Sequence, residues 1–219
     1  LRFITGACLC GLYMVMESWI NERAGKEHRG RILSFYQIVN LGAVTIGQVL
    51  LNLYDPAGFE LFVVASVLVS VALVPVALTR TTAPQPLQQV RIRIPRVYAI
   101  SPVGVIACLT VGLVNGAVWT IVPLFAQSAL TSVAELSLFM SLLIIGGAVF
   151  QWPLGRWSDL IDRRWVVIVI CVGGGFSALA LMTFGDLARV VMYALAFVYG
   201  GFTFALYAIA IAHANDQAE

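Results

Sequence analysis

The sequence predicts an all-α membrane protein that crosses the lipid bilayer several times. Its 219 residues are 60% hydrophobic and 11% charged, whereas a soluble domain has roughly 25% charged residues. The mean hydropathy is +0.92. The apolar residues form runs of about 20, the length that a helix needs to cross the hydrocarbon core. Only a lipid environment accommodates so much apolar surface.

Seven apolar runs follow one another along the chain, and polar segments separate them. The first ends before Asn21, and the second lies between a basic turn and the acidic turn NLYDPAGFE. The third ends before Arg80, and the last four are likewise bounded by polar residues. The predicted transmembrane helices are residues 2–20, 32–53, 60–79, 102–125, 134–153, 165–184 and 188–212.

The connection between the third and fourth runs predicts a linker. Residues 80–101 contain three prolines together with basic residues, a composition typical of a linker. We therefore expect residues 1–79 to end one helical bundle with three helices and residues 102–219 to begin a second bundle with four. Because the chain starts without Met and inside an apolar pattern, we also expect it to be a piece of a longer protein.

The distribution of basic residues predicts the orientation in the membrane. Eleven of the 13 Lys and Arg residues lie in the first, third and fifth connections, whereas Arg189 alone lies in the second, fourth or sixth. Cytoplasmic loops are enriched in Lys and Arg. We therefore expect the odd connections to be cytoplasmic, the N-terminus to lie outside and the C-terminus inside.

Seven helices with this orientation also occur in retinal proteins and receptors. The single lysine, Lys26, lies in a predicted cytoplasmic loop, so no lysine of the last helix can hold retinal. The receptor alternative is weakened by an internal repeat at an offset of 194 residues, which equals six spans and is typical of one large transporter class. The matching residues are Gly6 and Gly200, Leu12–Tyr13 and Leu206–Tyr207, and Asn21–Glu22 and Asn215–Asp216.

The charged stretch GRWSDLIDRR, residues 155–164, resembles the cytoplasmic signature of the major facilitator superfamily. Gly155, Asp159, Arg163 and Arg164 match it, and Asp162 replaces the usual second glycine. RFITG, residues 2–6, resembles the fourth-helix motif of the family. ESWINE and AHAND, residues 17–22 and 212–216, resemble the YcaD-like subgroup of bacterial transporters. The antiporter motif of the fifth helix is degraded, because only Gly47 is kept in AVTIGQVLL.

The resemblance implies that the seven spans are helices four to ten of a twelve-helix bundle, with the third and sixth spans on its periphery. It implies a secondary active transporter of a small solute that works by alternating access and is driven by a proton or other gradient. We expect a monomeric, multi-pass protein of the bacterial inner membrane, with the solute, protons and the bilayer as partners. The alternative is a seven-helix receptor or sensor.

Polar residues inside the spans predict the substrate cavity without using the motifs. The third and sixth spans contain no charge or amide within the bilayer, whereas the second, fourth and fifth contain amides. Amides in lipid are unfavourable unless they face a partner or water. The alternative is that they only hold helices together. The candidate cavity residues are Gln37, Asn40, Asn115, Trp119 and Tyr207.

Two groups of charges are candidates for moving parts of a transporter. The resemblance implies that Gly155, Asp159, Asp162, Arg163 and Arg164 form a gating motif that clamps the two halves in the outward-open state. The partner would be the start of the second span, around residues 30–31. The alternative is that these charges cap helix ends, between the fifth and sixth spans, and set the topology.

Arg2 and Glu17 lie within the first span and are candidate coupling charges. They are separated by 15 residues, or roughly 22 Å along a helix, so they cannot pair directly. The alternative for Glu17 is a structural ion pair with Arg23 or Arg163.

Motifs of enzyme chemistry are absent from the sequence. It has no phosphate-binding loop, no nucleophile motif and no His-Glu-x-x-His metal site. The four cysteines lie in apolar runs without a pairing pattern. We therefore expect no enzyme activity, no cofactor, no metal and no nucleic-acid partner.

Overall fold

In the part of the chain that the structure describes, long α-helices account for almost all residues and no strand occurs. The structure is a computed structural model, which describes residues 2–23, 29–55, 57–78, 98, 102–184 and 188–216. The predicted linker, residues 80–101, lies outside them except for residue 98, and the two predicted bundles therefore stay a prediction. The all-α prediction is confirmed.

Each predicted span overlaps one helix, although the second span, 32–53, extends three residues beyond the end of its helix at Leu50. In lipid, a helix satisfies its backbone polar groups internally, and proline inside a helix is tolerated, as at Pro75, Pro123 and Pro153. The helices are α1 (Arg2–Arg23), α2 (Arg29–Leu50), α3 (Glu60–Leu78), α4 (Pro102–Ala129), α5 (Val133–Leu160), α6 (Arg163–Phe184) and α7 (Arg189–Asp216).

Four of these helices are long and apolar enough to cross a membrane: Val105–Ala129, Val133–Ser158, Arg164–Phe184 and Arg189–Tyr207. The continuous apolar segments of α1, α2 and α3 are shorter among the described residues. The prediction of a membrane protein is thus supported by four helices, and seven crossings remain a prediction.

The chain divides into two compact units, and the division falls within α2 and α3. The first unit comprises residues 1–42 and 65–90, and the second comprises residues 43–64 and 91–219. In the second unit α7 is the central helix, because it packs against α5, α6 and α4. Each unit is described by itself below.

Two apolar clusters form the core of the second unit. One lies towards the start of α5 and α7 and includes the fully buried Phe139, Leu143 and Met192. The other lies towards the opposite ends of the same helices and includes Val166 and Ile170. Outside these clusters most large apolar side chains are exposed, as expected of helices that face lipid.

Glycines bring α5 and α7 into close contact. A Cβ atom on Gly146 would meet the backbone of Phe197, and one on Gly200 would meet the backbone of Leu143. Small residues are typical of membrane helix interfaces because they let the backbones approach. These two glycines therefore set the distance between the two helices that form most of the core.

Candidate functional site

A cluster of polar side chains lies between α1 and α2 in the first unit. Tyr13 and Glu17 are four residues apart on α1, and Tyr36 and Asn40 are four residues apart on α2, so each pair shares one face of its helix. The Tyr13 hydroxyl donates a hydrogen bond to the Asn40 Oδ1 at 3.4 Å. We refer to these four residues as the α1–α2 cluster.

Tyr36 connects the remaining members of the α1–α2 cluster. It interacts electrostatically with both Glu17 and Tyr13. Residue 13 pairs with residue 40 and residue 17 with residue 36, so the numbering rises along α1 where it falls along α2. The two helices are therefore antiparallel here. Among the described residues, the buried Tyr36 hydroxyl has no hydrogen-bond partner, and neither does the buried Trp19 Nε1.

The carboxylate of Glu17 is half-buried and lies in the apolar segment Gly6–Ile20. None of the basic side chains that the structure describes forms an ion pair with it. The two basic residues predicted as alternative partners, Arg23 and Arg163, have side chains outside the described set. A carboxylate in an apolar segment is unfavourable unless it is paired or functional. The cluster therefore offers negative charge, two aromatic rings and a hydroxyl without a partner among the described residues.

The other two predicted site residues of the first unit are Gln37 and Arg2. Gln37 is half-buried on α2, one residue after Tyr36 and on a different face of the helix. The backbone of Arg2 begins α1, but its side chain is outside the described set. The structure thus brings Asn40 and Glu17 into one cluster and leaves the predicted role of Arg2 as a prediction.

The predicted cavity residues of the second unit lie on α4 and α7. Asn115 and Trp119 are four residues apart on α4, and the Trp119 ring packs against Phe204 of α7 with 6.0 Å between centroids. Tyr207 follows one turn later on α7 and is partly exposed. Aromatic residues therefore line this part of the α4–α7 contact, and its role in a cavity stays a prediction.

The predicted gating motif spans the end of α5 and the start of α6. We expected Asp159 to lie between two helices, but α5 continues to Leu160 and includes it. The helix thus extends past the predicted span, towards the predicted cytoplasmic side. Asp162 does lie in the connection, where its carboxylate accepts a hydrogen bond from the Arg164 backbone N–H at 2.9 Å.

Asp162 therefore caps the start of α6. Gly155 has open space beside it, and its carbonyl accepts a hydrogen bond from the Ser158 hydroxyl at 2.7 Å. The side chains of Asp159 and Arg163 lie outside the described set. Their gating role remains a prediction.

The opposite end of α5 carries a second group of polar contacts. Ser132 caps the helix by accepting a hydrogen bond from the Glu135 backbone N–H at 3.2 Å. The Glu135 carboxylate accepts one from the Thr131 backbone N–H at 3.1 Å and forms an ion pair with Arg189 at the start of α7. The one basic residue of the predicted outer connections is thus neutralised by an acidic neighbour.

A hydrogen-bonded chain links the end of α2 to α5. The Asn52 side-chain amide donates to the Ser137 hydroxyl at 3.0 Å, and this hydroxyl donates to the backbone carbonyl of Gln48. Ser137 is only 3% exposed. The contacts satisfy polar groups at a helix end, where backbone carbonyls lack helical partners.

A cavity of about 280 Å³ lies between α4, α6 and α7. None of the described lining residues is charged, and the walls are mostly apolar. It provides space but no group that would orient a charged solute. Among the described residues no group of three or more His, Cys, Asp and Glu side chains could hold a metal ion.

The sequence predicted Glu17 and Asn40 as candidate residues but did not predict the contacts that link them through Tyr36 and Tyr13. Tyr13 and Tyr36 complete the cluster, and the signal was available, because each lies four residues from a polar residue on an apolar helix. The Ser137 contacts had no such signal, since Ser137 is 85 residues from Asn52.

Comparison with known proteins assigns the chain to a family. The sequence model of the Major Facilitator Superfamily matches residues 1–219. The "Uncharacterized MFS-type transporter YcaD" of Escherichia coli O17:K52:H18 is 26% identical over 220 residues, which cover 100% of this chain and 56% of that protein. The protein of the same name from Escherichia fergusonii is 24% identical over 218 residues, with 99% and 56% covered.

The corresponding protein of Salmonella newport is 25% identical over 220 residues, again with 100% of this chain and 56% of the relative covered. The chain therefore spans about half the length of these relatives. No solved structure gives a significant match.

Proposed function

Because this chain belongs to the Major Facilitator Superfamily, we propose that it forms part of a secondary active transporter that moves a small solute across the bacterial inner membrane by alternating access. The family and the four membrane-length helices support a membrane transport protein. They favour this class over the receptor or sensor alternative. The solute, the driving gradient and the monomeric state belong to the proposal.

The observation that carries the proposal is the half-buried Glu17 carboxylate, which faces Tyr36 within the α1–α2 cluster. A purely structural helix pair in lipid has no need of an ionisable group, because small residues and neutral hydrogen bonds suffice. Ionisable residues in membrane segments mark solute or proton pathways. We assign Glu17 as the coupling carboxylate, which exchanges a proton during the transport cycle.

The gating motif supplies the test of alternating access. In the proposal, Asp159 stabilises the outward-open state through charge-assisted hydrogen bonds at the cytoplasmic side, each worth roughly 1.5–3 kcal/mol. Asp159→Asn keeps the size of the side chain but removes the charge. A loss of this size shifts a two-state equilibrium by about one to two decades, so the outward-open population should fall.

The reporter is a single cysteine at Ser137, in the full-length protein without its other cysteines. Ser137 is buried against Asn52, so a thiol there reacts with an impermeant maleimide only when α2 and α5 separate at the outer end. We expect Asp159→Asn to slow labelling from outside about tenfold. Asp55→Asn, an exposed carboxylate on the outer turn, is the matched control and should leave the rate unchanged. Equal rates for both variants would refute the gating role.

A further inference from the structure

We infer that the α1–α2 cluster is the binding site for a protonated organic amine, an inference that rests on the proposed transport function and names its substrate class. The site brings together the Glu17 carboxylate, the rings of Tyr13 and Tyr36, and the Asn40 amide. Each of these groups favours a particular feature of the solute. Together they specify a positive charge, an N–H donor and an apolar body.

The positive charge of the solute is inferred from the Glu17 carboxylate. It is the one acidic side chain that the structure describes on α1 and α2, and no described basic residue pairs with it. An ionised carboxylate in an apolar segment gains most from a partner of opposite charge. A neutral solute such as a sugar would leave this charge uncompensated, and an anion would be repelled by it.

The aromatic rings favour an organic cation over a metal ion. Tyr13 and Tyr36 lie on facing helices beside the carboxylate, and tyrosine rings attract cations through their π faces. A calcium or magnesium ion requires six or more oxygen ligands. One carboxylate, one amide and two phenol groups do not supply them.

The buried Tyr36 hydroxyl favours a cation that carries an N–H group. Among the described residues it has no hydrogen-bond partner, and a hydroxyl oxygen accepts from an ammonium N–H while the same ammonium pairs with Glu17. A quaternary ammonium has no such donor. We therefore expect primary and secondary amines to bind more tightly than their quaternary analogues.

The site is open enough to receive a solute. Tyr13 leaves 40% of its surface exposed, so one side of the cluster is accessible. Glu17 lies six residues before the end of α1, or roughly 9 Å along the axis. With the predicted orientation, this places the carboxylate in the cytoplasmic half of the membrane.

The test is equilibrium binding of tritiated amines to the purified full-length protein in detergent. The probes are benzylamine, 4-phenylbutylamine and 1-pyrenemethylamine at a pH at which each is protonated, with 4-phenylbutanol and trimethyl(4-phenylbutyl)ammonium as neutral and quaternary analogues. We expect saturable binding of at least one amine, weaker binding of the quaternary analogue and no saturable binding of the alcohol. Absence of saturable binding for all three amines would overturn the inference.

Variants assign the binding to the cluster. Glu17→Gln should weaken amine binding at least about 30-fold, because it removes the opposite charge. Tyr36→Phe should weaken it about three- to tenfold, because it removes one hydrogen bond. Glu60→Gln makes the same substitution at the start of α3 and should bind as the unmodified protein does. Equal affinity for Glu17→Gln and Glu60→Gln would refute the assignment.

Two further readouts separate folding and transport from binding. Glu17→Asp retains the charge and should recover most of the affinity, which excludes misfolding as the cause of the loss in Glu17→Gln. No recovery in a monodisperse Glu17→Asp protein would count against the charge argument. Labelling of the single cysteine at position 137 reports alternating access without any solute. Saturable amine binding together with equal labelling rates for Asp159→Asn and Asp55→Asn would sustain the binding site and refute the proposed transport cycle.

Discussion

Ser137 and Ser141 lie one turn apart on α5 and have opposite hydrogen-bond states. Both are buried. The Ser137 hydroxyl accepts from Asn52 and donates to the Gln48 carbonyl, whereas the Ser141 hydroxyl has no partner among the residues that the structure describes. The same side chain on the same helix should therefore make different contributions to the free energy of unfolding.

We predict that Ser137→Ala destabilises the protein by about 1 kcal/mol, because the Asn52 amide and the Gln48 carbonyl both lose a partner. Ser141→Ala removes an unsatisfied polar group and should be neutral or slightly stabilising. The measurement is the unfolding midpoint of the two purified variants in the same detergent. Equal midpoints would show that the hydrogen bonds of Ser137 do not contribute.

At the scale of the helices, glycine determines how α5 and α7 pack. A Cβ atom on Gly200 would meet the Leu143 backbone, which cannot move aside as a flexible side chain can. Gly116 on α4 has open space around it. Gly116 therefore permits no close helix contact among the described residues.

Gly200→Ala is expected to destabilise the protein by roughly 1–3 kcal/mol, since the added methyl group forces the two backbones apart. Gly116→Ala should instead be neutral or stabilise by up to about 1 kcal/mol, because alanine restricts the unfolded chain and favours the helix. Thermal unfolding in detergent, followed by tryptophan fluorescence, distinguishes them. A larger loss at Gly116 than at Gly200 would contradict the close-packing argument.

The helices could be predicted because each apolar run has the length of a bilayer crossing, but a run does not give the ends of its helix. For α5 the predicted span ended at residue 153, whereas the helix continues to Leu160. Pro153 lies inside the helix, which a membrane helix tolerates. Helical periodicity extends through polar residues once the chain leaves the lipid, and hydropathy does not detect that extension.

The members of the candidate site could be predicted, and their contacts could not. Glu17 and Asn40 stand out because they are polar within apolar segments. The contact of Asn40 with Tyr13 joins residues 27 positions apart and depends on the register of two antiparallel helices. No residue pattern in α1 or α2 specifies that register, since several shifts by one turn would bury similar apolar faces.

For the whole molecule, the distribution of charge predicts the orientation in the membrane. The basic residues of the odd connections resist transfer across the bilayer. Arg189 is the exception on the predicted outer side, and its ion pair with Glu135 reduces the net charge of that surface. Arg189 therefore does not oppose the orientation that the other eleven residues favour.

Two exposed aspartates in connecting segments test this orientation. Asp55 lies in the turn after α2, where its carboxylate accepts a hydrogen bond from the Ala57 backbone N–H, and Asp162 caps α6. Each carboxylate accepts a hydrogen bond from the backbone N–H two residues later, so Asp55→Cys and Asp162→Cys remove the same kind of local contact. In a background without the four native cysteines, an impermeant maleimide should label the cysteine at position 55 in intact cells. The cysteine at position 162 should react only after lysis, because the basic fifth connection stays in the cytoplasm, and the reverse labelling pattern would refute the predicted topology.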